Sequence, residues 1–212
     1  IMIAVICTLL FFQRDTDTLV IIAGTGMVMF LVGGMPIRHM ILSLLVLGAI
    51  VGGVIMVRPY ALERVKTYMD KGADSQGSGY QINQSLIAIG SGQVYGRGFG
   101  QSIQKFNYLP EPIGDSVFAV AAEEFGFVGG VILIGVFIMF GLEGLKIGSR
   151  APDDFGRLLA IGIVILIVSQ AMVNIGGMIG ALPLTGIPLP FVSHGGTALF
   201  INLIEVGIVM NI

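Results

Sequence analysis

The chain alternates between long apolar runs and short polar knots, and only one of its polar stretches is long. An opening half-run, Ile1 to Phe12, ends at Gln13-Arg14-Asp15-Thr16-Asp17-Thr18. Leu19 to Gly34 follows, then a turn with Pro36, Arg38 and His39, then Met40 to Val57, which stops at Arg58-Pro59. Beyond the long polar stretch, apolar runs occupy Val117 to Leu142, Leu158 to Leu182 and Phe191 to Ile212. Each complete run holds about 16 to 26 residues, and about 20 helical residues cross a bilayer core, with tilt absorbing the excess. The opening run of about 12 residues is too short to cross alone, which predicts a helix that begins before Ile1. No charged segment precedes it, so a signal peptide is not expected, and further sequence is expected after Ile212.

This pattern predicts an all-α, polytopic integral membrane bundle with about five full spans and one truncated span. Residues 1–58 are read as membrane helices, 59–116 as a large loop, and 117–212 as three more membrane helices. Two pieces of the loop are amphipathic. Ala61 to Met69 gathers Val65, Tyr68 and Met69 on one face, and Ile82, Leu86 and Ile89 form another. Both are expected to lie on the membrane surface. The glycine-rich run from Gly90 to Gly100 reads as turns and lacks the Gly-Lys-Ser/Thr ending of a phosphate-binding loop.

Composition agrees with the pattern. Of 212 residues 55% are hydrophobic and 11% charged, against roughly 25% charged in soluble domains. The 32 glycines suit close helix packing, and with no Trp any aromatic belt must come from Tyr and Phe. The net charge of −2 is uninformative, because the basic residues are localised rather than scarce, and no nucleic-acid partner is expected. One cysteine, Cys7, excludes a disulfide framework or a multi-thiolate zinc site, and its apolar run suits an inert thiol. Strict alternation puts the Arg38-His39 turn and the Lys146/Arg150/Arg157 loop on one side. The long loop has more basic residues, but nearly as many acids match them and long loops obey the positive-inside rule weakly. The loop is therefore placed outside.

Candidate chemistry concentrates where the chain re-enters the membrane. Glu111 and Asp115 flank a Pro-Ile-Gly turn ahead of the run from Val117. Partial dehydration there can raise a carboxylate toward useful base strength, yet on the residues alone Asp115 is better placed to cap the following helix. Glu123 and Glu124 are acids inside a span, either functional or hydrogen-bonded near the interface. Arg58, Arg64, Lys66, Lys71, Arg97 and Lys105 suit a pyrophosphate or lipid head group, or a solvated loop face, and Arg58 also suits snorkelling at a span end. The stretch Leu182 to Thr197 has too many prolines and glycines to be helical, which at membrane depth requires a buried or water-lined setting. His194 within it can titrate, or be a packed hydrogen-bonding residue.

In order, these patches resemble the SEDS family of peptidoglycan glycosyltransferases, the RodA, FtsW and SpoVE proteins. The resemblance is carried by Gln13 to Thr18, Arg58-Pro59-Tyr60, Gly79-Tyr80-Gln81 with Gln84-Ser85, and Gly96-Arg97-Gly98-Phe99-Gly100. It continues through Tyr108-Leu109-Pro110-Glu111 to Asp115, Ala122-Glu123-Glu124-Phe125-Gly126-Phe127, and Leu182-Pro183 to Leu189-Pro190-Phe191-Val192-Ser193-His194-Gly195-Gly196. It implies the C-terminal part of a bacterial inner-membrane protein of roughly ten helices that polymerises lipid II at the outer face of the cytoplasmic membrane. The family's essential aspartate falls on Asp115, implied to be a general base. Arg58, Arg97 and then Lys105 are implied to receive the leaving pyrophosphate, with room for a divalent cation, magnesium or manganese. Glu111, Gln84 and Ser85 join them as substrate-binding candidates, with Glu124, Ser193 and His194 in support. Implied partners are a class B penicillin-binding protein and other divisome or elongasome membrane proteins.

The chain departs from the family pattern at Arg14, Asp17, Gly114, Ser116 and His194, and the Gln104 to Tyr108 run is closer to FtsW and SpoVE than to RodA. Two other roles fit the same residues. One is a flippase or transporter of a lipid-linked precursor, which would use the same intramembrane acids and broken helices. The other is a scaffold that recruits envelope proteins through the long loop.

Overall fold

The structure is a computed structural model and describes residues 6, 9–10, 13, 15–57, 67–68 and 77–212. The described residues are helices and loops, with no strand among them. Helices α1 (Thr16–Val32) and α2 (Ile37–Val57) cover the second and third apolar runs. Within the long polar stretch lie α3 (Ser78–Ser91) and the single turn α4 (Gln104–Asn107). Helices α5 (Val117–Arg150), α6 (Asp154–Met178) and α7 (Gly196–Met210) cover the last three runs. The two longest, α5 with 34 residues and α6 with 25, are long and apolar enough to cross a membrane. Every complete apolar run has therefore become a helix.

Local chemistry fixes the ends. Asp15 accepts the Thr18 N–H at 3.1 Å and caps α1, and Met35 N bonds Phe30 O at 3.0 Å beyond its last turn. In α5 the helix breaks at Gly126, where φ is 70° and ψ −166°.

The chain divides into two compact units. The first comprises Ile1–Leu62, Phe140–Ser169 and Ile201–Ile212. Its core is Ala160, Val164 and Val209, with Phe140, Ile147, Ile163 and Val168 against it. Gly144 and Gly148, four residues apart on α5, face Val164 and Ile161 so closely that any Cβ would strike those side chains. In lipid no hydrophobic transfer drives helices together, so this small-residue approach and its van der Waals contacts carry the packing.

The second unit comprises Glu63–Met139 and Gln170–Phe200. Ile82, Phe118, Phe137, Ala171, Ile175, Met178, Leu184 and Leu189 form its core, and Ala88, Leu109 and Ala119 a smaller cluster. Here α3 differs from the expected surface helix. Its buried face is Ile82, Ser85 and Ala88, and Leu86 is exposed. A small, hydrogen-bonded Ser85 lets α3 come close to Met178, so the helix enters the core. Of the other expected surface piece, Ala61 to Met69, only Thr67 and Tyr68 are described, and the Tyr68 hydroxyl donates to Ala181 O at 3.0 Å.

Candidate functional site

Asp115 ends a loop that starts at Leu109 and leads into α5. The residue at the cap position is Ser116, whose carbonyl accepts from Ala119 N at 3.0 Å and Val120 N at 3.3 Å; Asp115 stands one residue ahead. The Ser116 hydroxyl donates to Pro110 O at 2.9 Å and accepts from Gln81 Nε2 at 3.0 Å, which ties the loop to α3. Glu111 O accepts from Gly114 N and Ser116 N, and to do so Glu111 adopts φ 44°, a region costly for a side-chain-bearing residue.

A second loop, residues 182–195, holds the first from another side. Ser193 Oγ donates to Gly114 O at 2.7 Å and accepts from Leu189 N at 2.7 Å. The His194 N–H donates to Ile113 O at 2.8 Å. Phe191 adopts φ 63° between them. From α6, Asn174 Nδ2 donates to Asp115 O at 2.8 Å and to Ile187 O at 2.7 Å, and one turn earlier Gln170 Nε2 donates to Pro188 O at 3.3 Å. Both Asn174 bonds go to carbonyls, which fixes the amide orientation and leaves its buried Oδ1 without a protein donor. The peptide around Asp115 is thus pinned by side chains of α3 and α6 and by the second loop. The Asp115 side chain is half-buried, and Glu111, Ile113 and His194 beside it are exposed.

The glycine-rich run is more than a set of turns. At the α5 break, Arg97 N donates to Glu123 O at 3.0 Å and Gly98 N to Glu124 O at 2.9 Å. In return Phe127 N donates to Gln93 O at 2.8 Å and Val128 N to Val94 O at 3.1 Å. Residues 93–98 therefore supply the partners that the broken helix lacks, which a helix end in lipid must find. Gly96 and Gly126 meet backbone to backbone, with φ values of 81° and 70°; a Cβ on Gly96 would strike Glu124 O, and one on Gly126 would strike Gly96 N.

Glu123 and Glu124 are both bound up in this junction. Glu123 accepts from Ser102 Oγ at 2.6 Å and from the Ile103 and Gln104 amides at 3.1 and 3.3 Å, capping α4. Glu124 pairs with Lys105 Nζ at 2.6 Å. Arg97 Nε lies 3.2 Å from Ser91 Oγ and 3.5 Å from Glu123 Oε1, with its side chain 40% exposed. Gln84 is half-buried on α3, and Ser85 is fully buried, its hydroxyl bonded to Gln81 O at 2.8 Å. Arg58, with Arg64, Lys66 and Lys71, lies outside the described residues.

Asp115, Glu111, Ser193 and His194 thus meet in one place through directly bonded loops. Arg97, Lys105 and Glu124 meet at the junction on α5. Sequence reasoning gave no site role to Asn174, Gln170, Gln81, Ser102 or Ser116. A signal existed for the first pair, since Gln170 and Asn174 are amides one turn apart inside an apolar span. Among the described residues no three His, Cys, Asp or Glu side chains converge as a cation site.

The model of the FtsW, RodA and SpoVE group, described as cell cycle proteins, matches residues 1–212. Stage V sporulation protein E of Bacillus subtilis is 43% identical over 201 residues, covering 94% of this chain and 55% of that protein. The probable peptidoglycan glycosyltransferase FtsW of Thiomicrospira cyclica is 39% identical over 209 residues, covering 96% of this chain and 53% of that protein. The chain spans about half the length of these curated relatives. A chain from a solved peptidoglycan synthase complex superposes with a TM-score of 0.75 at 27% identity, covering 97% of this chain and 57% of the other.

Proposed function

Starting from a chain that belongs to the FtsW, RodA and SpoVE family of multi-pass bacterial membrane proteins, we propose that it carries the catalytic aspartate of a peptidoglycan glycosyltransferase that polymerises lipid II. The observation that carries this reading is the Asp115 loop: its backbone is pinned from α3, α6 and the 182–195 loop while the carboxyl-bearing side chain stays half-exposed. A relative named as a probable peptidoglycan glycosyltransferase and the fold likeness to a peptidoglycan synthase complex support it.

In this reading the Asp115 carboxylate takes the proton from the acceptor sugar's 4-hydroxyl as that oxygen attacks the donor's anomeric carbon. The bond from that carbon to the pyrophosphate oxygen breaks on the opposite side, its electron pair leaves with undecaprenyl pyrophosphate, and the carbon inverts. A positioned base of this kind contributes about 10²- to 10⁴-fold. Rigid backbone anchoring matters because a misplacement of about 1 Å costs about 10²-fold. Glu111, exposed across the same turn, is assigned to the acceptor's hydroxyls, with Gln84 as a further substrate contact. Arg97 and Arg58 are assigned to the growing pyrophosphate charge. Lys105 follows them, because Glu124 already balances its ammonium. Ser85, Ser193 and His194 shape and hold the site.

The site is placed at the outer face of the inner membrane, beside a class B penicillin-binding protein that crosslinks the emerging strand. The test is lipid II polymerisation by the whole protein reconstituted with that partner, comparing Asp115 with Asp115→Asn at matched folded yield. A fall of at least about 10²-fold supports the base. Equal polymer from both overturns it, and lipid II crossing the bilayer with no polymer from either indicates a flippase.

A further inference from the structure

The segment that fills the α5 break also carries a cluster of side chains that the glycosyltransfer reading does not use. Tyr95, Phe99, Phe106 and Tyr108 are 84%, 82%, 69% and 51% exposed. Large aromatic rings this open have no counterpart in the packed core and require an environment. We propose that residues 94–108 are an interfacial lipid anchor, with these rings set into the headgroup–acyl boundary of the bilayer around α5.

Depth is the first argument. The apolar part of α5 runs from residue 125 to 142, between Glu124 and Glu143. Beyond the break, residues 127–142 give about 24 Å of helix, and with the two residues before it the run approaches the roughly 30 Å hydrocarbon core. The Gln93 and Val94 carbonyls bond the amides of Phe127 and Val128. Residue 94 is therefore fixed about two to three residues, or about 3–5 Å, inside the apolar edge. Interfacial segments bury their apolar face about 5–10 Å into this zone.

Backbone accounting is the second. Non-helical chain is excluded from lipid when its N–H and C=O groups lack partners. Here Arg97 N, Gly98 N, Gln93 O and Val94 O are all taken by α5, and Ile103 N, Gln104 N and Lys105 N by Glu123 and Ser102. The charges are balanced as well: Lys105 is paired with Glu124, and its ammonium lies 5.2 Å from the Phe106 ring centre.

Continuity is the third. The Phe99 ring lies 6.0 Å from that of Phe125. Phe125 opens the exposed apolar flank of α5, which continues through Phe127, Val128, Val131 and Ile132. A helix of a multi-pass membrane protein turns such a flank to lipid, and Phe99 extends it onto the loop without a polar gap. With no Trp in the chain, Tyr and Phe must supply its aromatic belt.

Nitroxide accessibility tests this without reference to activity. Tyr95→Cys, Phe99→Cys and Phe106→Cys are made singly with Cys7→Ser in the longest polypeptide that carries this chain. Each is labelled and reconstituted in phosphatidylethanolamine–phosphatidylglycerol vesicles, with Val131→Cys as the lipid reference and Asp153→Cys as the water reference. Oxygen should relax the three labels several-fold more than a water-soluble nickel chelate does, as at position 131. Nickel access equal to that at 153 overturns the anchor in favour of a hydrated loop. Exclusion of both reagents overturns it in favour of a protein partner. Phe99→Trp keeps an aromatic ring and guards against misfolded labels: its added emission should be quenched by lipids brominated near the headgroup, and unquenched emission overturns the proposal.

Discussion

Two acid-bearing segments lie within ten residues of each other and are held in different ways. At the α5 break the side chains do the holding: Glu123 takes three hydrogen bonds in the interior and Glu124 an ion pair, so neither is presented to a ligand. Around Asp115 the holding is done to the backbone, by Asn174, Ser193 and Ser116, and the acid side chain keeps part of its surface open. A carboxylate inside a span is thus no sufficient mark of chemistry. What separates the two segments is where the hydrogen bonds that hold them are directed.

The sharpest way to break this contrast is Glu123→Ala. It leaves Ser102 Oγ and two amides of the α4 start without their acceptor, in the interior. Each buried donor left unmade costs about 1–3 kcal/mol, so the expected result is a large loss of folded protein in thermal unfolding. Full stability would show that the junction has other support. Asn174→Ala comes next. It strips donors from Asp115 O and Ile187 O, at about 1–3 kcal/mol for each buried acceptor left unmade. The expected signature is a fall in kcat of about 10-fold or more with KM little changed, because geometry at the aspartate is lost before ground-state binding. A matching rise in KM would mean that Asn174 shapes binding instead. Smallest is Lys146→Ala, which removes an exposed pair with Glu143, both 61% exposed. It should shift stability by less than about 0.5 kcal/mol, and a larger shift would mean that charge pairs matter here wherever they lie.

These contrasts also show what the sequence could and could not convey. The helices were legible because lipid imposes length and apolarity, and the runs from Leu19, Met40, Val117, Leu158 and Phe191 each became one. Glu111 and Asp115 stood out from their place at a re-entry turn, and the structure sets both in one hydrogen-bonded loop. The α3 face was misjudged because Ser85, a polar letter, turned inward once its hydroxyl found Gln81 O and Met178 Sδ. The break at Gly126 was invisible because one glycine among 32 carries no mark of positive φ, and its partner strip lies about 30 residues upstream. Asn174 was passed over because its apolar neighbours drowned its signal, although a buried amide inside a span always needs partners.

The break at Gly126 also has a consequence for assembly. A newly inserted α5 segment that opened there alone would bare several peptide groups to hydrocarbon, at several kcal/mol each. The bend is therefore stable only where residues 93–98 are folded back to take over its hydrogen bonds. That strip also leads through α4 to the Asp115 loop, so the bent span and the candidate site share one support, and whatever unseats residues 93–98 disturbs both.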